Sequence, residues 1–240
     1  MLSKMLRISA VCSAIGLIPI VSFAHKDDYL NETFVYRTLD RHELELEYWF
    51  DYHALTTVGA GQYQHTVSAE YGFTNVWMAD IALNYGNLSS AHTYELSRWR
   101  LETRRRFGEE GSRIPDIALS LELEGEQGIA EWEYQITPRL VLSHDFGSKL
   151  NTTLNLFVGI GMGHDAPIAP GYNFGVRYPG DGVLRIGAEV IQTFNHHVSS
   201  LLIPQIWILP WEEGVIKLGY AKAYGSEERY FVRLAFEAGI

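Results

Sequence analysis

The sequence predicts an all-β protein, an antiparallel transmembrane β-barrel of about 12 strands in meander order. Three observations predict it. Apolar and polar residues alternate with a period of two, turn-forming clusters separate the alternating runs, and aromatic residues gather at the ends of those runs. No helical period of useful length appears beyond residue 24.

The chain opens with "MLSKMLRISAVCSAIGLIPIVSFAHKDD". Lys4 and Arg7 precede an apolar core that ends near Val21, and Ser22-Phe23-Ala24 follows. This is the pattern of a secretory signal peptide cut after Ala24, and its core is shorter than the ~20 residues of a spanning helix. Cys12, the one cysteine, lies in that core with no small residue immediately before it, so no lipoprotein motif is predicted. The expected mature chain thus has no cysteine and holds its fold by burial and hydrogen bonding. With Lys4 and Arg7 gone, 17 basic side chains face 29 acidic ones, a net charge of −12. That balance argues against nucleic acid as a partner.

The expected division is residues 1–24 as signal peptide, 25–40 as an N-terminal leader, and 41–240 as barrel. The leader, "HKDDYLNETFVYRTLD", reads either as a short extra strand or as a plug inside the barrel.

The first strand, 43–53, sets Glu43, Glu45, Glu47, Trp49 and Asp51 on one face and Leu44, Leu46, Tyr48, Phe50 and Tyr52 on the other. After "TTVGAG" come strands at 62–72 and 76–86, divided by "GFTN". Strand four, 93–107, carries Arg98, Arg100, Glu102, Arg104 and Arg106 against Trp99, Leu101 and Phe107. Strand five, 117–125, alternates Ile117, Leu119, Leu121 and Leu123 with Ala118, Ser120, Glu122 and Glu124. Strands six and seven, 130–143 and 150–162, flank "FGSK", and Leu150, Thr152, Leu154, Leu156, Val158 and Ile160 share one face of the seventh. Strands eight and nine, 171–178 and 183–193, flank "PGDG". In strand ten, 198–209, Pro204, Gln205 and Pro210 break the apolar run "LLIPQIWILPW", which rules out a helical span. Strands eleven and twelve, 215–224 and 229–240, flank "GSEE", and the last alternates Tyr230, Val232, Leu234 and Phe236 with Phe231, Arg233, Ala235 and Glu237.

Alternation alone fits a soluble sandwich as well as a membrane barrel. Runs of about ten residues, an even strand number and two aromatic girdles favour the barrel. One girdle holds Tyr52, Tyr63, Tyr85, Tyr94, Tyr172, Tyr224 and Tyr230, the other Tyr71, Trp77, Phe107, Phe146 and Tyr178. The apolar faces then meet lipid. The polar faces line a lumen with Glu43, Glu45, Glu47, Asp51, Arg98, Arg100, Arg104, Arg106, Glu122, Glu124, Arg229 and Arg233. A hairpin folded about residue 111 sets Arg98 opposite Glu124 and Arg100 opposite Glu122. Closure of the last strand on the first brings Arg233 near Glu47 and Arg229 near Asp51.

The stretch "AEYGFTNVWMADIALNYG" resembles hairpins of small outer-membrane barrels of the phenol meta-degradation family, and the likeness of style runs over most of the mature chain. That resemblance implies an outer-membrane barrel of transporter type, with outer-membrane lipids, the barrel assembly machinery and a small-molecule cargo as partners. The chain ends in Ile240, where such barrels commonly end in Phe or Trp.

Three patterns bear on chemistry. His197-Val198-Ser199 sets a base and a nucleophile on one strand face and resembles the His-x-Ser of outer-membrane lipid hydrolases, but Ser200-Leu201 follows instead of Asn-Gly. His53, His65, His92, His164, His196 and His197 fall near one rim, and His25 would be the new N-terminus, which are possible metal ligands, although His53 and His65 face opposite ways. "GIGMG" at 159–163 ends a strand and opens no helix, so it is no nucleotide loop, and no cofactor is predicted. The leading expectation is a channel or conduit for small molecules. A structural or interaction barrel without an open pore, and a lipid hydrolase using His197 and Ser199, are the alternatives.

Overall fold

The computed structural model describes residues 28–30, 33–55, 62–86, 94–109, 111, 115–128, 131–163, 166–194, 198–211, 214–224 and 229–240. Twelve antiparallel strands close on themselves: β1 (Leu44–Leu55), β2 (Gln62–Thr74), β3 (Trp77–Gly86), β4 (Glu95–Phe107), β5 (Asp116–Gln127), β6 (Trp132–Phe146), β7 (Leu150–Met162), β8 (Ile168–Tyr178), β9 (Leu184–Phe194), β10 (Val198–Trp211), β11 (Gly214–Tyr224) and β12 (Arg229–Gly239). Each strand pairs with its sequence neighbours, and β1 pairs with β12. No helix among the described residues is long and apolar enough to cross a membrane, which has no bearing on strands. The predicted signal peptide lies outside the described residues.

Period two decides which way every side chain points. In β3, Met78, Asp80, Ala82 and Asn84 are buried while Trp77, Ile81 and Tyr85 are exposed. In β5, Ala118, Ser120 and Glu122 are buried while Leu119 and Leu121 are exposed. A soluble sandwich would show the reverse. Large apolar residues cover the outside and charged ones fill the inside, so the outer surface is one that hydrocarbon wets and water does not.

Two registers differ from expectation. Across β4 and β5, Arg98 stands opposite Glu126 and Arg100 opposite Glu124, a shift of two residues that keeps each side chain on its face. The hairpin centre lies one residue further along, yet Arg98 still forms its ion pair with Glu124 diagonally. At the closure, Arg233 stands opposite Asp51, Glu237 opposite Glu47 and Arg229 opposite Leu55. The cause is at the chain end: the Ile240 N–H donates to the Leu44 carbonyl at 2.7 Å, so β12 is paired along its whole length and no sheet edge remains.

The described part of the leader, residues 28–30 and 33–40, forms no extra strand. From Asp28 to Leu39 nearly every described residue is buried, none belongs to a strand, and the segment lies within the barrel. It reaches the barrel wall at Gly72, where a Cβ would stand 1.9 Å from the Asp40 carbonyl oxygen. Only glycine lets the backbone cross the strand at that distance.

Candidate functional site

The interior is the candidate site, and it has a wall and an occupant. The wall carries most of the charge. Arg233 donates two 2.7 Å hydrogen bonds to Asp51, and its guanidinium lies 4.6 Å from the centre of the Trp49 ring. Arg100 stands 3.4 Å from Asp80, and Arg139 stands 3.8 Å from Glu122. Lys217 is ion-paired to Glu237. Glu45, Glu47 and Glu237 each bring one carboxylate oxygen within 4.8 Å of the others, and the Lys217 ammonium is the cation beside them.

The occupant is the described part of the leader, residues 28–30 and 33–40, which touches the wall through polar bonds and apolar seats alike. The Asp28 carboxylate accepts from both terminal nitrogens of Arg104, at 2.9 and 2.8 Å, and from the Val35 N–H at 2.7 Å. Lys217 donates to the Asp28 carbonyl at 2.6 Å, and Arg233 to the Leu30 carbonyl at 3.0 Å. Asn155 takes the Phe34 N–H at 2.8 Å and returns a hydrogen bond to the Phe34 carbonyl at 2.8 Å, which satisfies one backbone unit in both directions. Gln205 accepts from the Leu30 N–H at 2.9 Å, and the Tyr29 hydroxyl donates to Asn151 at 2.8 Å.

Three apolar clusters lie inside, and each contains leader residues. Leu30 packs with Trp49 and Ile203, Tyr29 and Val35 with Trp207 and Val215, and Phe34 and Tyr36 with Ala118 and Val141. Phe34 is held between two guanidiniums, Arg104 and Arg139, each 4.1 Å from its ring centre. Small wall residues make the room. A Cβ on Gly175 would meet the Tyr29 ring at 2.8 Å, and one on Gly219 would meet Leu30 at 2.2 Å. Beyond the leader a small cavity of about 140 Å³ remains among Arg98, Glu122, Glu124, Gln135 and Asn173.

Most of the residues named from sequence are thus placed. Glu43, Glu45, Glu47, Asp51, Arg100, Arg104, Glu122 and Arg233 are buried on the inward face, and Arg98 and Glu124 are partly buried there. Arg106 sits at the rim and donates to the carbonyls of Asn75 and Gly108. The side chain of Arg229 lies outside the described residues. Sequence reasoning did not single out Asp28, Asp80, Arg139, Lys217 or Gln205. Arg139 and Lys217 had a signal, because each is a charge at an inward position of an alternating strand. Asp28 had none, because no period extends into the leader.

The chemical candidates separate in the same way. His92, His164, His196, His197 and His25 fall outside the described residues. His53 packs against Phe231 on the inner face, while His65 accepts or donates at 2.6 Å with Tyr48 on the outer face. Ser199 is exposed at the start of β10, and its carbonyl accepts from Gln192 at 3.0 Å. "GIGMG" lies at the end of β7, where a Cβ on Gly159 would meet the Gln135 amide at 3.0 Å. Gly161 likewise makes room for Ala166 and Pro167, whereas a Cβ on Gly163 would meet nothing.

No protein-family model and no curated protein matches the sequence. Solved structures match the fold. The NanC porin is similar with a TM-score of 0.61 at 10% identity, over 80% of this chain and 98% of that one. The KdgM porin, in complex with disordered oligogalacturonate, is similar with a TM-score of 0.56 at 10% identity, over 81% of this chain and 98% of that one. The β domain of the Bordetella autotransporter BrkA reaches 0.51 at 11% identity, over 83% and 99%. At such identities the likeness is one of fold: this chain is a closed twelve-strand antiparallel barrel with the fold of these outer-membrane barrels.

Proposed function

We propose that this protein is an outer-membrane channel for small molecules whose passage is closed by its own residues 28–40. The observation that carries the reading is the way the interior is filled. An eight-strand barrel closes with its own side chains, whereas twelve strands leave a hollow of intermediate width. Here that hollow is filled by a segment that joins no sheet and is attached through side-chain contacts. Such an element can leave without breaking a strand pair. Arg98, Arg100, Arg104, Arg139 and Arg233, facing Glu122, Glu124, Asp51 and Asp80, would then line a water-filled passage. The solved porins of this fold support the reading, as does the likeness of the β2–β3 hairpin to barrels of the phenol meta-degradation family.

The protein acts without catalysis in this reading, and outer-membrane lipids and the assembly machinery are its partners in the membrane. Planar-bilayer recording tests it, with the chain beginning at His25 compared with one lacking residues 25–40. The expected result is low conductance with brief openings for the first and steady conductance for the second. Absence of current from both folded forms in every salt would leave a structural barrel. Ser199→Ala tests the hydrolase alternative, and neither form is expected to hydrolyse phospholipid or lipid A.

A further inference from the structure

The outer surface carries a second feature that the channel reading does not use. Of the outward-facing positions on the described strands, only two are charged, Arg105 on β4 and Lys222 on β11. Their cross-strand neighbours are exposed and apolar or aromatic: Trp77 and Leu119 flank Arg105, and Leu202 and Tyr230 flank Lys222. The two cations sit at opposite ends of the barrel. Arg105 is two residues from the end of β4, at the end where residues 75–76 and 147–149 connect strands and where β1 begins. The first strand begins and the last strand ends there, and 75–76 and 147–149 are tight turns, which marks the periplasmic end although residues 108–115 make a longer connection on the same side.

Among the described residues no carboxylate pairs with Arg105, and its guanidinium lies 5.6 Å from the centre of the Phe107 ring. It stands beside a groove of about 680 Å³ on the outer wall. Trp77 and Phe107 border the groove at the Arg105 end, and Leu119, Leu121, Pro138, Leu140, Leu156 and Val158 continue it toward the barrel middle. Pro138 explains the depression. It has no N–H to donate, the β6–β7 pairing is interrupted at Thr137 and Pro138, and its ring is shorter than the leucines around it.

We propose that this groove seats one anionic glycerophospholipid of the periplasmic leaflet, with its phosphate on Arg105 and an acyl chain along the leucine-lined floor. Charge and position favour that occupant over a second protein. A guanidinium at the aromatic girdle matches the depth of a lipid phosphate, where an outward arginine costs only about 0–1 kcal/mol, and it prefers phosphate as a forked donor. The groove is apolar beyond it, as an acyl chain requires.

The test uses the full chain from His25, folded in detergent, with phosphatidylglycerol as probe and phosphatidylcholine as the neutral comparison, read by native mass spectrometry. The wild type is expected to retain one phosphatidylglycerol in preference to phosphatidylcholine. Arg105→Gln removes a charge from a lipid-facing site, which spares folding, and is expected to weaken retention about tenfold, the equivalent of one charge-assisted hydrogen bond. Leu121→Trp fills the groove and is expected to weaken both lipids. Lys222→Gln, at the other end, is expected to change nothing. Equal retention by wild type and Arg105→Gln would overturn the proposal, as would an equal loss in Lys222→Gln or unaltered binding in Leu121→Trp.

Discussion

At the scale of single residues, the Asp28 and Arg104 pair decides most. Both groups are buried, with side-chain exposures of 6% and 1%, so water screens little of their attraction. Removing Asp28 takes from Arg104 its two-bond partner and leaves Glu102, 3.1 Å from the same guanidinium, as the remaining counter-charge, so the cost falls below the about 3–5 kcal/mol of a buried charge left wholly unpaired. Asp28→Asn is therefore expected to loosen the leader while β1–β12 stay paired, because no strand hydrogen bond involves residue 28. Hydrogen exchange checks this: amides of 28–40 should exchange at least about tenfold faster, with strand amides unchanged. Gly175→Ala acts on the next leader residue, Tyr29, from the wall side. The new Cβ would stand 2.8 Å from the Tyr29 ring, so overpacking of about 1–3 kcal/mol should again fall on the leader. Equal exchange in wild type and both variants would mean that the plug is not held by these contacts.

At the scale of the element, the strands were legible and the plug's seat was not. Alternation in "RHELELEYWFDYH" set Leu44, Leu46 and Tyr48 outward with Glu45 and Glu47 inward, because a period of two is local and survives any choice of partner. Trp49 falls on the acidic face by the same rule, and the reason is visible only in three dimensions, where it packs with Leu30 beneath Arg233. The run "LLIPQIWILPW" is apolar on both faces of β10 for a related cause. Leu202, Ile206 and Ile208 face outward, while Ile203 and Trp207 pack on the leader. Contacts between Leu30 and Arg233 join residues 203 apart, and no local pattern encodes a partner at that distance. The outward faces yield a direct prediction. Leu101→Lys puts a charge at mid-strand between Ile81 and Leu123, and should cost about 2–4 kcal/mol in urea unfolding from lipid vesicles. The inward change Ser120→Ala should be neutral or slightly stabilising in the same assay, because the buried Ser120 hydroxyl has no hydrogen-bond partner among the described residues.

At the scale of the whole molecule, the closed state couples a charged segment to a membrane field. The leader is tied to β1 through Arg41 and His42, so it withdraws toward the end at which β1 begins. Residues 28–40 carry Asp28, Glu32, Arg37 and Asp40, a net negative charge. Asp40 is exposed at the rim and Arg37 is half-exposed beside Asp145 near the end of β6, which leaves Asp28 as the described leader charge held deep in the interior. One elementary charge crossing the full potential gains about 2.3 kcal/mol per 100 mV, and partial travel gains a fraction of that. Openings should therefore be asymmetric in polarity, several-fold more frequent per 100 mV when the side at which β1 begins is positive. Single-channel recording of the oriented full chain checks this. Asp28→Asn lowers the moving charge and should flatten the asymmetry as well as raise the open fraction, whereas loss of the plug's contacts alone would raise the open fraction at both polarities equally. Openings that ignore polarity in the wild type would show that the leader does not carry its charge through the field, and closure would then have to lie in the wall.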